Sequence, residues 1–327
     1  MSLDFSIETP FVTLVTPTYN QGRTIRQTIE SVLSQSYPHF EYWVIDGAST
    51  DDTLQILSDY RSDPRLHVIS EPDRGQSDAL EKGLKRSHGL LWNWINSDDY
   101  LLPDALLSLH ETYQRFPEAR IFSGITEEFE EGQPEKLNPI RLQLRSDPSH
   151  SIAVGVFCQP STFWKTETVR ALGGIHPALH YVMDWHLWVR YLCEYGHEGI
   201  ALIPQALARF RKHPQSKSIS QGSGFHAEAA TIYRALLERA RAPETFYSEL
   251  PSAFSKESIF PSALTFRCFS AKSFLKAYAD KKIRIFHKRG DHRAALHWLW
   301  ISLRKAGGLT LWRLKILIRS LWRKLFS

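Results

Sequence analysis

Two hydrophobic periods alternate through the first hundred residues. Apolar, β-rich runs at 11–16 (FVTLVT), 42–45 (YWVI), 66–69 (LHVI) and 90–95 (LLWNWI) are each bounded by Pro, Gly, Asp or Asn, the pattern of strands buried on both faces. Between the first two runs, Ile25, Ile29, Val32 and Leu33 recur at i, i+4, i+7 and i+8, the stripe of an amphipathic helix. Further helices are expected at 51–60, 76–87 and 103–114, the last opened by Pro103 in its first turn. Four repeats of strand then helix predict an α/β fold with a mostly parallel sheet, in which ligands gather beyond the carboxyl ends of the strands. After residue 120 the pattern loosens. The segment IFSGITEEFEEGQPEKLNPIRLQL reads as an antiparallel extension or a loop, and helical patterning returns at 184–195 and from about 225 onward. The expected organisation is a catalytic α/β domain over 1–225 and a helical region over 226–327, ending in a basic amphipathic tail at about 309–327.

Length and charge refine this picture. A chain of 327 residues buries a sizeable core without cross-links, and Cys158, Cys193 and Cys268 are too scattered for a disulfide framework or a thiolate zinc site. No apolar run is long enough to span a bilayer and MSLDFSIETP does not resemble a secretory signal, so a reducing, cytoplasmic setting is expected. The net charge of +5 is concentrated at one end. Arg304, Lys305, Arg313, Lys315, Arg319, Arg323 and Lys324 lie in a stretch without an acid, so the rest of the chain is slightly acidic and no nucleic-acid groove is implied. In the tail, Leu311, Leu314, Leu317, Ile318, Leu321, Trp322 and Leu325 share one helical face opposite Arg313, Arg319, Arg323 and Lys324. Two readings fit: a helix lying on an anionic membrane surface, and a helix packed on protein.

Candidate chemistry sits at the strand ends. Asn96-Ser97-Asp98-Asp99 follows the fourth strand; adjacent carboxylates at a sheet rim suit a hard cation such as Mg²⁺ or Mn²⁺ that also takes phosphate oxygens, or they cap a helix. Asp46 ends the second strand and faces the same edge, where it can accept hydrogen bonds from a base or sugar. Thr16-Pro17-Thr18-Tyr19 ends the first strand, with Tyr19 able to stack on a flat ring, or it simply forms a turn. Asp73, Arg74 and Asp78 close the third strand; Arg74 faces a phosphate or pairs with Asp73. No GxGxxG or GxxxxGK[ST] is present, which removes support for dinucleotide dehydrogenases and P-loop enzymes.

Taken together, VTPTYNQGRTIRQTIESVLSQSYPHFEYWVIDGASTDDT, EPDRGQSDALEKG and INSDDYLLPDAL resemble glycosyltransferase family 2 over roughly residues 9–215. The resemblance implies a GT-A fold and a metal-assisted inverting transfer of one sugar, of hexosyltransferase type, from a nucleotide-diphosphate sugar, with UDP-sugars foremost. It assigns Thr16, Thr18, Tyr19 and Asp46 to the nucleotide, Asp73, Arg74 and Asp78 to the donor site, and Asp98 and Asp99 to the metal, with Asp99 preferred as direct ligand. Arg209, Arg211 and His213 resemble the closing segment, with His213 at the metal or diphosphate or on the surface without a role. Asp184 matches the base aspartate, although Met183 stands where the family often carries a second acid; the other reading of Asp184 is an N-cap. The chemistry independently requires such a base, because the attacking hydroxyl must lose a proton. A QxxRW signature of processive members is absent from this region, which favours single additions. The implied acceptor is a lipid-linked or cell-envelope glycan reached from the inner face of the membrane. The rival readings are a sugar nucleotidyltransferase, which would need a Gly-rich basic loop after the first strand, and an inactive nucleotide-sugar-binding homologue.

Overall fold

The computed structural model describes residues 11–248, 250 and 259–305. The tail at about 309–327 lies outside the described residues. In chain order the elements are β1 (Val12–Thr18), α1 (Ile25–Leu33), β2 (Phe40–Asp46), α2 (Thr53–Ser58), β3 (Leu66–Ser70), α3 (Gln76–Arg86), β4 (Leu91–Trp94), β5 (Tyr100–Leu101) and α4 (Ala105–Arg115). There follow β6 (Ile121–Glu130), β7 (Gln133–Ile140), α5 (Pro148–Val154), β8 (Thr162–Lys165), α6 (Thr166–Ala171), α7 (Met183–Tyr195), β9 (Ile200–Lys212), α8 (Lys217–Ser220), α9 (Gly222–Arg239), α10 (Ala271–Lys288) and α11 (His292–Lys305).

The chain divides into two compact units, the first comprising the chain up to Leu142, Phe157–Leu187 and Glu198–Ala229. Its strands form one sheet in the order β3-β2-β1-β4-β8-β6-β9-β5, with β7 paired to β6. β1 pairs in parallel with β2 and β4, and β2 with β3, so the strand order reverses at β1. That switch point opens a crevice above the carboxyl ends of β1 and β4. Beyond β4 the sheet is mixed rather than mostly parallel: β8 runs antiparallel to β4 and β6, and β9 runs parallel to β6. The acidic segment after residue 120 is the antiparallel β6–β7 hairpin, closed at Glu130 and Gln133.

The helix stripe read from the sequence is buried as expected. Ile25, Ile29 and Val32 of α1 and Leu106 and Leu109 of α4 share a core with Val12, Leu14, Tyr42, Val44 and Phe122 of the sheet. On β1, Val15 meets α3 at Gly83, where an added Cβ would lie 2.6 Å from the valine, so only glycine permits this approach. Pro103 does not open α4, which begins at Ala105 after an Asp104 held at φ 59°.

The second unit comprises Gln143–Val156, Trp188–His197 and the chain from Ala230 on. The boundary expected between 225 and 226 therefore falls after Ala229, and two earlier segments join the helical unit. Here α10 packs against α5 and α11. Tyr278 and Trp298 meet edge to face at 5.8 Å. Lys281 Nζ donates to Tyr233 Oη at 2.6 Å, and Tyr233 in turn donates to the Ala153 carbonyl at 3.0 Å. Burial pushes the Lys281 ammonium down to about 8.

Candidate active site

A cavity of about 630 Å³ opens in the first unit over the carboxyl ends of β1 and β4. This is the size range of small-ligand sites. Its wall includes Thr18 and Tyr19, at the end of β1 and just beyond it. Tyr19 is 58% exposed, leaving its ring open to stacking, while Thr18 Oγ1 is buried and, among the described residues, has no hydrogen-bond partner. A buried hydroxyl of this kind calls for an acceptor or donor from a bound molecule.

Thr16 and Asp46 were expected beside them, and the structure corrects both. Thr16 faces the core, its hydroxyl 2.8 Å from both Tyr42 Oη and the Ile95 carbonyl. Asp46 is buried and accepts from Ser49 N at 3.0 Å, Ser70 Oγ at 2.6 Å and the Ser49 hydroxyl. It fixes the turn that follows β2 rather than lining the cavity. Of the third-strand cluster, only Asp73 reaches the wall, where its carboxylate accepts from Gly75 N at 2.8 Å. Arg74 and Asp78 are not wall residues; they pair with each other at 2.8 Å, one helical turn apart. Gly75, at φ 111°, has His180 Nδ1 within 3.0 Å of a Cβ built on it, so the start of α3 also needs glycine.

The two adjacent acids point opposite ways. Asn96-Ser97-Asp98-Asp99 lies in the turn between β4 and β5, well before α4, so it caps no helix. Asp98 lines the cavity, its Oδ2 3.0 Å from His213 Nε2. Asp99 is wholly buried: Oδ1 accepts from Arg211 N at 3.0 Å and Oδ2 from Asn96 Nδ2 at 3.1 Å. Burial and the neighbouring Asp98 charge push its pKa well up. The structure therefore leaves Asp98, not Asp99, facing the cavity, because the backbone of β9 claims the Asp99 carboxylate. Asp98 and His213 form an oxygen–nitrogen donor pair facing open space, which fits a hard divalent ion completing its shell with phosphate oxygens and water. Among the described residues no group of three His, Cys, Asp or Glu side chains comes together as a closed metal cage.

Lys217, at the start of α8, is the one Lys or Arg among the described wall residues. Its Nζ donates to Gln76 Oε1 at 3.0 Å, and Gln76 Nε2 donates to Asn96 Oδ1 at 2.8 Å. A hydrogen-bonded chain therefore runs from the lysine to the Asn96 that holds Asp99. Lys217 stood inside the HPQSKS segment but carried no spacing signal of its own. Arg209 and Arg211 are engaged elsewhere: Arg209 with Glu127 at 3.0 Å, and Arg211 with the Asp98 carbonyl at 3.0 Å.

Asp184 occupies the second position of α7, so it is not the cap residue. It lines the cavity half-buried. Burial raises its pKa, while the backbone N–H groups of Trp185 and Asp184 itself act in the lowering direction. Phe157, Tyr181 and Phe225 also line the cavity and offer it flat apolar surfaces suited to a ring. The structure thus brings Thr18, Tyr19, Asp73, Asp98, His213 and Asp184 to one cavity. Thr16, Asp46, Arg74, Asp78 and Asp99 do not line it.

Residues 13–165 match the family model described as "Glycosyl transferase family 2". TuaG of Bacillus subtilis, whose name assigns it to teichuronic acid biosynthesis as a glycosyltransferase, is 36% identical over 127 residues, which is 38% of this chain and 50% of that protein. Chondroitin synthase of Escherichia coli is 36% identical over 98 residues, 30% of this chain and 14% of that one. The matches therefore span half or less of these two relatives. Among solved structures, S. aureus TarS 1–349 in complex with UDP superposes with a TM-score of 0.57 at 16% identity, covering 91% of this chain and 92% of that one. The mannosyltransferase PcManGT from Pyrobaculum calidifontis, in complex with GDP-Man and Mn²⁺, gives 0.51 at 16% identity, over 97% and 81% of the two chains. At such identities the likeness establishes the fold, which is the GT-A arrangement the resemblance implied. The family match thus runs from β1 to β8 and takes in Thr18, Asp73 and Asp98, while Asp184 and His213 lie beyond it.

Proposed function

We propose that the chain transfers a single sugar from a UDP-sugar to a hydroxyl of a cell-envelope or lipid-linked glycan, with inversion at the anomeric carbon. The observation that carries this reading is that one cavity is lined by an open aromatic ring, an unpartnered hydroxyl, the Asp98–His213 pair, Lys217 and a carboxylate of raised pKa, Asp184. Tyr19 stacks on the base and Thr18 bonds its edge. Lys217 faces the diphosphate and opposes the charge that builds on it as the bond to the sugar breaks. Asp98 and His213 are the residues that would hold Mg²⁺ or Mn²⁺, and such an ion neutralises charge on the leaving diphosphate. Asp184 accepts the proton of the acceptor hydroxyl as that oxygen attacks the face of the sugar opposite the diphosphate. The nucleotidyltransferase reading lacks its basic loop, and the intact acid set speaks against an inactive homologue.

Incubation of the chain with UDP-N-acetylglucosamine, UDP-glucose and UDP-galactose, with and without Mn²⁺, tests this. At least one is expected to raise the melting temperature only when the ion is present and to release UDP slowly by transfer to water. No stabilisation and no release with any of them, or with GDP-mannose, would count against the reading.

We also propose that the tail at about 309–327 holds the protein on an anionic membrane surface near its acceptor. Among the described residues no helix is long and apolar enough to cross a membrane. Each basic residue near anionic lipid adds about 1 kcal/mol. Cosedimentation with phosphatidylserine vesicles should therefore be salt-sensitive and lost on truncation at about Gly307. A full-length chain that ignores such vesicles at low salt would rule the attachment out.

A further inference from the structure

Three consecutive backbone N–H groups lead into the helix that carries Asp184, and one carboxylate takes all of them. Glu228, on α9, is 2% exposed. Its Oε1 accepts from His180 N at 2.7 Å, and its Oε2 from Tyr181 N at 2.8 Å and Val182 N at 3.1 Å. Val182 is where α7 begins, since its carbonyl accepts the first bond of that helix from His186 N at 2.8 Å. Asp184 follows two residues later.

The approach to α7 is irregular, and its earlier part is held by Glu81, which accepts from Ile175 N at 3.0 Å. Residues 173–182 form no strand or helix, and Gly173 and Gly174 both have positive φ. A backbone without a ladder must find its acceptors elsewhere. The Leu179 carbonyl is held by the Ser77 hydroxyl, and Glu228 supplies the next three N–H partners. The fit of α9 onto this segment is close. A Cβ built on Gly224 would lie 2.4 Å from the Tyr181 ring, and Phe225 packs against the same ring at 5.1 Å. The face formed by Gly224, Phe225 and Glu228 is therefore shaped to the segment before the base. Hydrogen bonds from N–H to an ionised carboxylate are the strong class, and three of them on successive residues leave the backbone no freedom to pivot.

We propose that Glu228 is a positioning residue for Asp184: it clamps the backbone at 180–182 and so sets where the base carboxylate stands relative to the anomeric carbon. The inference rests on the reading of Asp184 as the base. A misplacement of about 1 Å in a reacting group costs about 10²-fold in rate. Among the described residues Glu228 makes no hydrogen bond to Thr18, Tyr19, Asp98 or His213, so the donor contacts made there should be spared.

The test uses the full chain with Mn²⁺ and whichever UDP-sugar of the panel stabilises it most, with turnover counted per donor-binding site so that unfolded material does not contribute. Glu228→Gln replaces one accepting oxygen with an amide that cannot accept. It should lower kcat about 10²-fold while the donor KM and the UDP affinity stay at the wild-type level. Glu228→Asp keeps the charge on a shorter stem and should fall between. In an Asp184→Asn background Glu228→Gln should cost nothing further, because both changes act through one group. Wild-type kcat in Glu228→Gln, a full multiplicative loss in the double variant, or failure of both Glu228 variants to give donor-binding protein would each overturn the proposal. Full turnover in Asp184→Asn alone would instead remove the base assignment and the inference with it, a result separable from failure at Glu228 alone.

Discussion

Replacement of Asp184 by Asn is expected to lower turnover about 10²- to 10⁴-fold, the range for losing a general base, while leaving UDP-sugar affinity in Mn²⁺ intact. The expectation follows from position and environment together. Asp184 lies in the first turn of α7, past the cap position, and faces the cavity, so its carboxylate is not spent on closing the helix. Burial raises its pKa, so the protonated form persists to higher pH than for an ordinary aspartate. Only the ionised carboxylate accepts a proton, so activity should fall as pH drops through this raised value, with an acid limb above the usual carboxylate range. In Asp184→Asn that limb should vanish from the residual rate. Near-native turnover, or an unchanged acid limb in the variant, would exclude the role.

The second large effect is expected at Asp98. Asp98→Ala should abolish the Mn²⁺-dependent part of UDP binding and reduce turnover by at least about 10²-fold. A metal ion contributes several kcal/mol to stabilising the leaving group, and about 1.4 kcal/mol corresponds to tenfold in rate. The fold should survive, because the Asp98 side chain is 23% exposed and, among the described residues, its carboxylate is bonded to a histidine that also bonds Gln215. Asp99→Ala should behave differently. It strips the acceptor from Arg211 N and from Asn96 in a site closed to water, and unsatisfied buried donors cost about 1–3 kcal/mol each. Its main signature should be a lower melting temperature. Calorimetric titration of UDP with and without Mn²⁺, alongside thermal unfolding, separates the two variants. Equal loss of metal-dependent binding with unchanged stability in Asp99→Ala would restore Asp99 as the ligand.

That contrast marks the limit of what the sequence makes legible. Strand ends and helix stripes are local: FVTLVT and YWVI announce β1 and β2, and Ile25, Ile29 and Val32 announce the buried face of α1, because each pattern is fixed by the period of its own element. The same locality places Thr18, Asp73 and Asp98 at one rim. Which of two neighbouring acids turns inward is decided elsewhere. Asp99 is claimed by Arg211 N, 112 residues away on β9, a pairing that no spacing encodes. Asp46 is similar, since Ser70 on β3 reaches it only once β2 and β3 are paired. Arg74 pairs with Asp78, four residues on, rather than with the adjacent Asp73, whose carboxylate is taken by Gly75 N. Glu228 lay beyond reach, because its partners are backbone groups 46–48 residues distant and backbone groups carry no side-chain signature.

The central claim is inverting transfer from this cavity, and the anomeric configuration of the sugar first released is its most direct measure. UDP-sugars carry an α linkage, and water can stand in for the acceptor hydroxyl. Proton NMR of the full chain with a stabilising UDP-sugar and Mn²⁺, recorded before the free sugar mutarotates, should show the β anomer appearing first, with the signal lost in Asp98→Ala and Asp184→Asn. Initial appearance of the α anomer, or release that persists at the wild-type rate in both variants, would contradict the account.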